Sequence, residues 1–448
     1  MTPIESAGGS ATRRLERVLL LFLTYCAIEG FLKRVTGYAW YIYPVRDILF
    51  IVVVGYWVTF RRRGASFDNP PYPRLLSFYL GLVCVEALNP HLPSLFVWLA
   101  GVRTSYMYAL LYFVAFRVFD TEERVVRLAR WIGVIAVITA LGAMIESVLG
   151  LDWVYRNNVR TFINAVYVGA SGAWVIRPSS IGTGPGSAAM MEYMGAIALF
   201  GLAFTHTRAR WRILDLCGAG LALGGVLLSA SRVFWLQAAV GIVVFAVVGG
   251  HGLLRRATYI LVPAGAAVGL SVLFSRGEIS ARFQTFETPL VTYLTEPSAS
   301  QRYYGLVALP RVVSDFPLGA GVGWNAPRQD LLAPYYGEDM IAYAGVHNYL
   351  SILALEVGVL GLVVFLTFSL GVSLRGLRAL RLGTNSRRHL LFAAYYAIFV
   401  SILLTFLVGG GIIGWPGEYY WIFAAIIIRV GQLKSEGLLP AQVAQSDP

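Results

Sequence analysis

One histidine stands where it could act as a general base, at the junction between a long connection and a hydrophobic stretch. The chain has five histidines, and His347 with Asn348 opens the stretch 347–373. Asparagine is a good helix N-cap, and a helix N-terminus carries a partial positive charge that favours phosphate and keeps a nearby imidazole neutral. A neutral imidazole can accept a proton, so His347 is a candidate base. The alternative is a histidine that only caps the helix or lies at a membrane interface.

Four arginines form a second group, because a guanidinium stays charged at any working pH and can bind phosphate through two hydrogen bonds at once. Several of them converging on one cavity would hold a pyrophosphate. For each, the alternative is a lipid headgroup contact or a side chain that reaches the membrane surface. Arg232 lies in a short turn between two hydrophobic stretches, which favours a pocket. The four are Arg177, Arg232, Arg302 and Arg311.

Acidic residues inside hydrophobic stretches are costly to bury and are functional candidates by default. Glu146, Glu192 and Glu356 are of this kind, and each should have a partner. Asp47, with Arg46 beside it, stands near the start of the second hydrophobic stretch and is a candidate substrate contact.

Motifs for metal and nucleotide chemistry are absent from the sequence. It has no Asp-x-Asp pair, no His-x-x-x-His, no phosphate-binding P-loop and no dinucleotide glycine fingerprint. Cys26, Cys84 and Cys217 fall in hydrophobic stretches and are predicted to be inert packing residues. We therefore predict no metal and no cofactor.

The composition is typical of a protein embedded in a lipid bilayer. The 448 residues are 57% hydrophobic and 13% charged, whereas about a quarter of a soluble domain is charged. The net charge of +12 could suggest nucleic-acid binding, but the basic residues mostly flank the hydrophobic stretches. We predict the bilayer as a partner, and no nucleic acid.

The hydrophobic stretches predict an all-α fold, a polytopic transmembrane helical bundle of about 12 spans. Most of the stretches are close to, or longer than, the roughly 20 residues that a helix needs to cross the hydrocarbon layer. The predicted spans are 17–32, 44–60, 74–89, 95–116, 131–150, 188–205, 213–230, 233–249, 257–274, 347–373, 389–409 and 418–430.

Arginine clusters in alternate loops predict the orientation, because basic residues close to span ends resist translocation. With the N-terminus inside, all these clusters are cytoplasmic, and so are both termini. Residues 1–436 then form a single membrane domain with periplasmic loops 151–187 and 275–346, the second partly helical, and 437–448 is a disordered tail. The second loop contains four aromatic residues that indicate either a ligand-handling surface or an interfacial belt: Trp324, Tyr335, Tyr336 and Tyr343.

Four short motifs, in this order along the chain, resemble the O-antigen polymerase and ligase superfamily. They are Arg177-Pro178, then Ser229-x-Ser231-Arg232, then Arg302 with Pro317-Leu318-Gly319-Ala320-Gly321-Val322-Gly323, which is similar to the family's Pro-x-x-Gly-x-Gly, and last His347-Asn348 with Glu356, Gly358, Gly361 and Leu362. The family often has leucine four positions after the histidine, where this chain has Ser351. Residues 28–33 and 43–47 are similar to exopolysaccharide polymerases of this group.

The resemblance implies an inverting, metal-independent glycosyltransferase on the periplasmic face of the bacterial inner membrane. Its donor would be a glycan on undecaprenyl pyrophosphate, and its acceptor a second glycan. His347 would be the base, and Arg232 and Arg302 would hold the pyrophosphate with Arg177 and Arg311. Asn348 and Asp47 would have supporting roles.

The resemblance favours a polymerase of O-antigen or exopolysaccharide repeat units, acting with or without a chain-length regulator protein. The first alternative is a ligase that passes the glycan to lipid A core or to a protein. A twelve-span secondary transporter is the second alternative. The short connection 206–212 at its midpoint, and the lack of matched broken spans in the two halves, argue against it.

Overall fold

The structure is a computed structural model that describes residues 3–62, 70–157, 166–168, 174–249, 305–324, 348–381, 387–408 and 415–435. It is a helical membrane protein, as predicted. The helices are α1 (Pro3–Val35), α2 (Tyr43–Arg62), α3 (Pro73–Val85), α4 (Leu95–Gly101), α5 (Leu110–Val118), α6 (Glu122–Asn157), α7 (Pro185–Ala203), α8 (Ala209–Leu228), α9 (Arg232–Val248), α10 (Leu309–Asp315), α11 (Tyr349–Arg381), α12 (Arg387–Val408) and α13 (Trp415–Ser435).

Within the described ranges, seven helical segments are long and apolar enough to cross a membrane. The predicted stretch 257–274 lies outside the described residues, and the total of about 12 spans stays a prediction. The seven segments are Trp40–Thr59, Leu95–Val118, Glu122–Gly150, Pro185–Ala203, Ala209–Leu228, Tyr349–Arg381 and His389–Phe406.

Helix α7 lies at the centre of the bundle and packs against α6, α8, α9 and α12. Nearly all of its side chains are buried, and many of them are small. Gly195 packs on Ala136 of α6, and Gly201 packs on Ala394 of α12. Small residues let helix backbones approach closely, which is how helices associate in a membrane without a hydrophobic driving force.

The first predicted outer loop, 151–187, contains more regular structure than expected. Helix α6 bends at Gly150, where φ is +84°, and continues to Asn157. Strands β1 (Val166–Val168) and β2 (Trp174–Ile176) pair antiparallel, with Val166 opposite Ile176. This short hairpin is an addition to the predicted all-α fold, and it leads directly into Arg177.

The described part of the second predicted outer loop, 305–324, contains α10 and a glycine-rich segment, residues 317–324. Within it Trp324 is only 4% exposed, and its indole N–H donates to the carbonyl oxygen of Ala320 at 2.9 Å. The expectation that Trp324 faces a ligand or forms an interfacial belt is therefore wrong for this residue, which is part of the packing. Tyr335, Tyr336 and Tyr343 lie outside the described residues.

Candidate functional site

Several of the predicted site residues fall where the structure describes no side chain. His347 and Arg302 lie outside the described residues. Arg232 is the first residue of α9, but its side chain is also outside the description. The roles of these residues stay predictions, and the geometry below comes from the segments that adjoin them.

Arg177 contacts the turn that leads to Arg232. The Arg177 Nε–H donates to the carbonyl oxygen of Ser229 at 3.1 Å. Two motifs that stand about fifty positions apart in the sequence, Arg177-Pro178 and Ser229-x-Ser231-Arg232, therefore lie side by side. The structure thus brings the two motifs together, and the convergence of the arginine side chains themselves stays a prediction.

The Ser-x-Ser-Arg motif forms a tight turn between α8 and α9. The Ser229 hydroxyl donates to the carbonyl of Val226 at 2.6 Å, and the Ser231 amide donates to the Ser229 hydroxyl at 3.3 Å. Between them Ala230 has a φ of +48°, in the left-handed region that a non-glycine residue rarely adopts. Such conformations persist only where the surroundings hold them, and they cluster at functional sites.

The segment after Arg177 is held by a buried acid of α6. Both the Ser179 and the Ser180 amides donate to Oε2 of Glu146, at 2.7 and 3.0 Å. Glu146 Oε1 lies 3.7 Å from a guanidinium nitrogen of Arg34 at the end of α1. Glu146 thus has the partners that its burial requires, and it positions the Arg177 segment.

Asn348 caps α11, as predicted. Its side-chain oxygen accepts the amides of Leu350 at 3.0 Å and Ser351 at 3.4 Å. The Ser351 hydroxyl donates to the carbonyl of Gly305 at 2.5 Å. Ser351, the position where the chain departs from the family's usual leucine, therefore connects the start of α11 to the segment that follows Arg302 by three residues.

The glycine-rich segment packs into a break in α11. Gly358 has a φ of +67° and a ψ of −175°, which interrupts the helix. The Ala320 amide donates to the carbonyl of Leu355 at 2.6 Å, and the Val359 amide donates to the carbonyl of Pro317 at 3.0 Å. Backbone groups freed by the break are thereby satisfied, which is what a broken helix at membrane depth requires.

Glu356 completes this junction. Its carboxyl oxygens accept the Tyr106 hydroxyl at 2.6 Å and the Gly323 amide at 3.1 Å. The residue is 2% exposed. Glu356 therefore joins α11 to the glycine-rich segment and to the π-helical turn Val102–Tyr106, and its role is positional.

Glu192 of α7 is the third of the buried acids. It packs against Gly225 of α8, and neither of its oxygens has a hydrogen-bond partner among the described residues.

Asp47 and Arg311 both form ion pairs within the protein. Asp47 accepts from Nε of Arg103 at 2.7 Å, and Arg311 lies 3.4 Å from Asp315, one turn along α10. The Arg311 side chain is 76% exposed. Their predicted contacts with substrate stay predictions.

Metal-ligating clusters of three or more His, Cys, Asp or Glu residues are absent from the described residues. Of the three cysteines only Cys26 is buried, and Cys84 and Cys217 are exposed on the protein surface. The prediction that all three are packing residues is therefore wrong for Cys84 and Cys217.

The comparisons with known proteins point in the same direction as the motifs. The model of the O-antigen ligase family matches residues 217–366. That range contains the Ser-x-Ser-Arg turn, Arg302, the glycine-rich segment, His347 and the break in α11. No curated protein matches the sequence significantly. The family match confirms the resemblance to the O-antigen polymerase and ligase superfamily, and it supports a membrane enzyme of that type.

Proposed function

Taking the match to the O-antigen ligase family as premise, we propose that this chain is an inverting glycosyltransferase that polymerises glycan repeat units carried on undecaprenyl pyrophosphate. The reaction takes place on the periplasmic face of the bacterial inner membrane and needs no metal or cofactor. The observation that carries the proposal is the contact of Arg177 with Ser229. It supports a site in which at least two of the predicted pyrophosphate-binding arginines converge.

In the proposed reaction, a hydroxyl of the acceptor glycan attacks the anomeric carbon of the donor and loses its proton to His347. The bond between the anomeric carbon and the pyrophosphate oxygen breaks, so one displacement inverts the configuration. Undecaprenyl pyrophosphate leaves as a good leaving group without general-acid help. Arg232 and Arg302, with Arg177 and Arg311, stabilise its developing charge.

Asn348 supports this chemistry through the backbone. Its side chain caps α11, so it fixes the start of that helix at Tyr349, two positions after His347. The dipole of that helix favours the neutral imidazole and the anionic leaving group. Asp47 would contact the substrate.

The site is tested by His347→Ala and Arg232→Ala, with Arg210→Ala as the matched control. Arg210 is an exposed arginine in the first turn of α8, at the predicted cytoplasmic end of that helix. Loss of a general base costs about two to four orders of magnitude in rate, and loss of Arg232 removes stabilisation of the leaving pyrophosphate. Both site variants should therefore lose the polymer ladder on glycan gels. Arg210→Ala should keep it. An unchanged ladder in site variants that reach the membrane would make the site assignment wrong.

The same gels separate polymerase from ligase, the alternative that the name of the matched family favours. A polymerase-deficient cell should accumulate single-repeat glycans. A ligase-deficient cell should accumulate long lipid-linked chains that are not attached to an acceptor. The match to an enzyme family favours either over a secondary transporter, and ion-coupled uptake of substrate into vesicles would reverse that preference.

A further inference from the structure

The C-terminal end of α1 lies against the segment that carries Arg177. The Phe31 amide donates to the carbonyl of Ile181 at 3.0 Å. Gly30 packs so closely on the backbone of Gly182 that a side chain there would collide with it. Four residues after Gly30, Arg34 is largely buried, with 14% of its side chain exposed. A strongly basic side chain therefore lies close to the segment that carries Arg177.

The contact of Arg34 with Glu146 does not use the hydrogen-bonding capacity of either group. The two are 3.7 Å apart, whereas charge-assisted hydrogen bonds measure about 2.7–2.9 Å. Two nearby ion pairs, Lys33 with Glu29 and Arg103 with Asp47, both measure 2.7 Å. Glu146 already accepts two backbone amides from the Arg177 segment. Its carboxyl is thus committed to that segment more than to Arg34.

The guanidinium of Arg34 therefore keeps donors available. Arginine has five N–H donors in a planar fork, and within the described ranges its side chain donates no hydrogen bond. Lys33, the neighbouring cation, differs because it pairs with Glu29 and lies over the ring of Tyr43 at 4.5 Å. A buried cation with unused donors, next to a segment that already holds one predicted phosphate-binding arginine, suits a ligand with two or more anionic oxygens.

We propose that Arg34 is a further diphosphate-binding residue of this site and acts beside Arg177 on the lipid-linked leaving group. Glu146 is its positioning residue, because one carboxyl accepts the amides that follow Arg177 and also attracts the Arg34 guanidinium 3.7 Å away. The inference rests on the proposed function. The competing explanation is structural: Arg34 would only neutralise buried Glu146 and complement the dipole at the end of α1.

The test measures how the purified full-length chain in detergent binds a short-chain polyprenyl diphosphate and the matching monophosphate, by competition in native mass spectrometry. We expect the wild-type chain to prefer the diphosphate. Arg34→Gln should weaken diphosphate binding roughly tenfold or more, because a bidentate charged contact is lost. Arg177→Gln should do the same, and Lys33→Gln should leave binding unchanged.

A double variant separates binding from neutralisation. If Arg34 only balances Glu146, combining Arg34→Gln with Glu146→Gln should restore diphosphate binding to the level of Glu146→Gln alone. If Arg34 contacts the ligand, the double variant should remain weaker than Glu146→Gln. Restoration would overturn the inference.

The outcomes also separate this inference from the proposed function. A wild-type chain that binds diphosphate no more tightly than monophosphate would count against the proposed function itself. A chain that prefers diphosphate, and loses that preference with Arg177→Gln but not with Arg34→Gln, would overturn the role of Arg34 alone. If Arg34→Gln does not fold, Arg34→Lys decides. Lysine keeps the positive charge but lacks the planar guanidinium group, so this variant should weaken diphosphate binding several-fold. Unchanged binding would overturn the inference.

Discussion

Buried carboxyl groups show most clearly what individual residues contribute. The sequence identifies Glu146 and Glu356 as acids in hydrophobic stretches but not their partners, since those partners are backbone amides and a tyrosine from distant segments. Each acid joins a helix to a loop that carries part of the candidate site. These hydrogen bonds offset the cost of burying the two carboxyl groups. The contribution of each acid is to hold the adjoining loop of the candidate site in place.

At this scale we predict that Tyr106→Phe destabilises the protein more than Tyr112→Phe. Both tyrosines are fully buried, but the Tyr106 hydroxyl donates to the carboxyl of Glu356, whereas that of Tyr112 donates to the neutral carbonyl of Pro71 at 2.8 Å. Hydrogen bonds to charged groups contribute about 1.5–3 kcal/mol and neutral ones about 0.5–1.5 kcal/mol. Thermal unfolding in detergent should show the larger loss for Tyr106→Phe.

The Tyr106 variant should also reduce polymer formation, because the glycine-rich segment loses part of its anchor at Glu356. Equal losses of stability for the two variants would mean that Glu356 does not depend on Tyr106.

Local contacts of a residue can be predicted from the sequence, whereas its contacts with distant segments cannot. The Asn348 cap is a local interaction within four residues, so its sequence neighbourhood is sufficient to predict it. Ser351 and Arg34 were missed, because their contacts are with Gly305 and with Glu146, far along the chain. For Ser351 the available signal was its departure from the leucine usual in the family. For Arg34 it was an arginine placed just after an apolar stretch.

Among the elements, α11 is distinguished by its break at Gly358, into which the glycine-rich segment packs. An apolar stretch that contains glycines is compatible with either a straight or a broken helix, so the hydropathy of 347–373 predicts the span but not the interruption at Gly358. The break at Gly358 is stable because Pro317 and Ala320 satisfy the freed backbone groups. Three glycines of the docking segment adopt positive φ, between +98° and +116°, at Gly319, Gly321 and Gly323. The spacing of one glycine at every second position after Pro317 therefore has a conformational reason.

We predict that Gly358→Ala damages the protein severely. The conformation of Gly358 is one that only glycine adopts readily, and it costs other residues about 1–3 kcal/mol. An added Cβ would also lie 2.6 Å from the carbonyl oxygen of Pro317 and 2.5 Å from the carbonyl carbon of Leu318. Thermal stability and polymer formation should both fall.

Gly81→Ala is the matched control for this substitution. Gly81 lies in α3 with open space around its Cα, and alanine favours a helix over glycine by about 1 kcal/mol. That variant should be as stable as the wild type or more so. A Gly358→Ala variant that behaves like Gly81→Ala would mean that α11 is continuous there.

For the whole molecule, the remaining prediction is which segments share one side of the membrane. Arginine placement predicts that the connection after α1 and the segment 317–324 are periplasmic, and that the N-terminal end of α8 is cytoplasmic. Three exposed positions report on these segments: Trp40 at 81%, Leu318 at 80%, and Arg210. With Cys26, Cys84 and Cys217 replaced by alanine, a single cysteine at each position can be labelled with a membrane-impermeant maleimide.

Intact spheroplasts should label Trp40→Cys and Leu318→Cys, and permeabilised cells should label Arg210→Cys in addition. The reason is geometric: Arg34 lies six residues before position 40, and Leu318 contacts the break in α11, so a common periplasmic site requires both reporters on the outer face. Polymer formation by each variant controls for correct insertion. Labelling of positions 40 and 318 from opposite sides would place the arginine segments and α11 on different faces, and no single diphosphate could then bridge them.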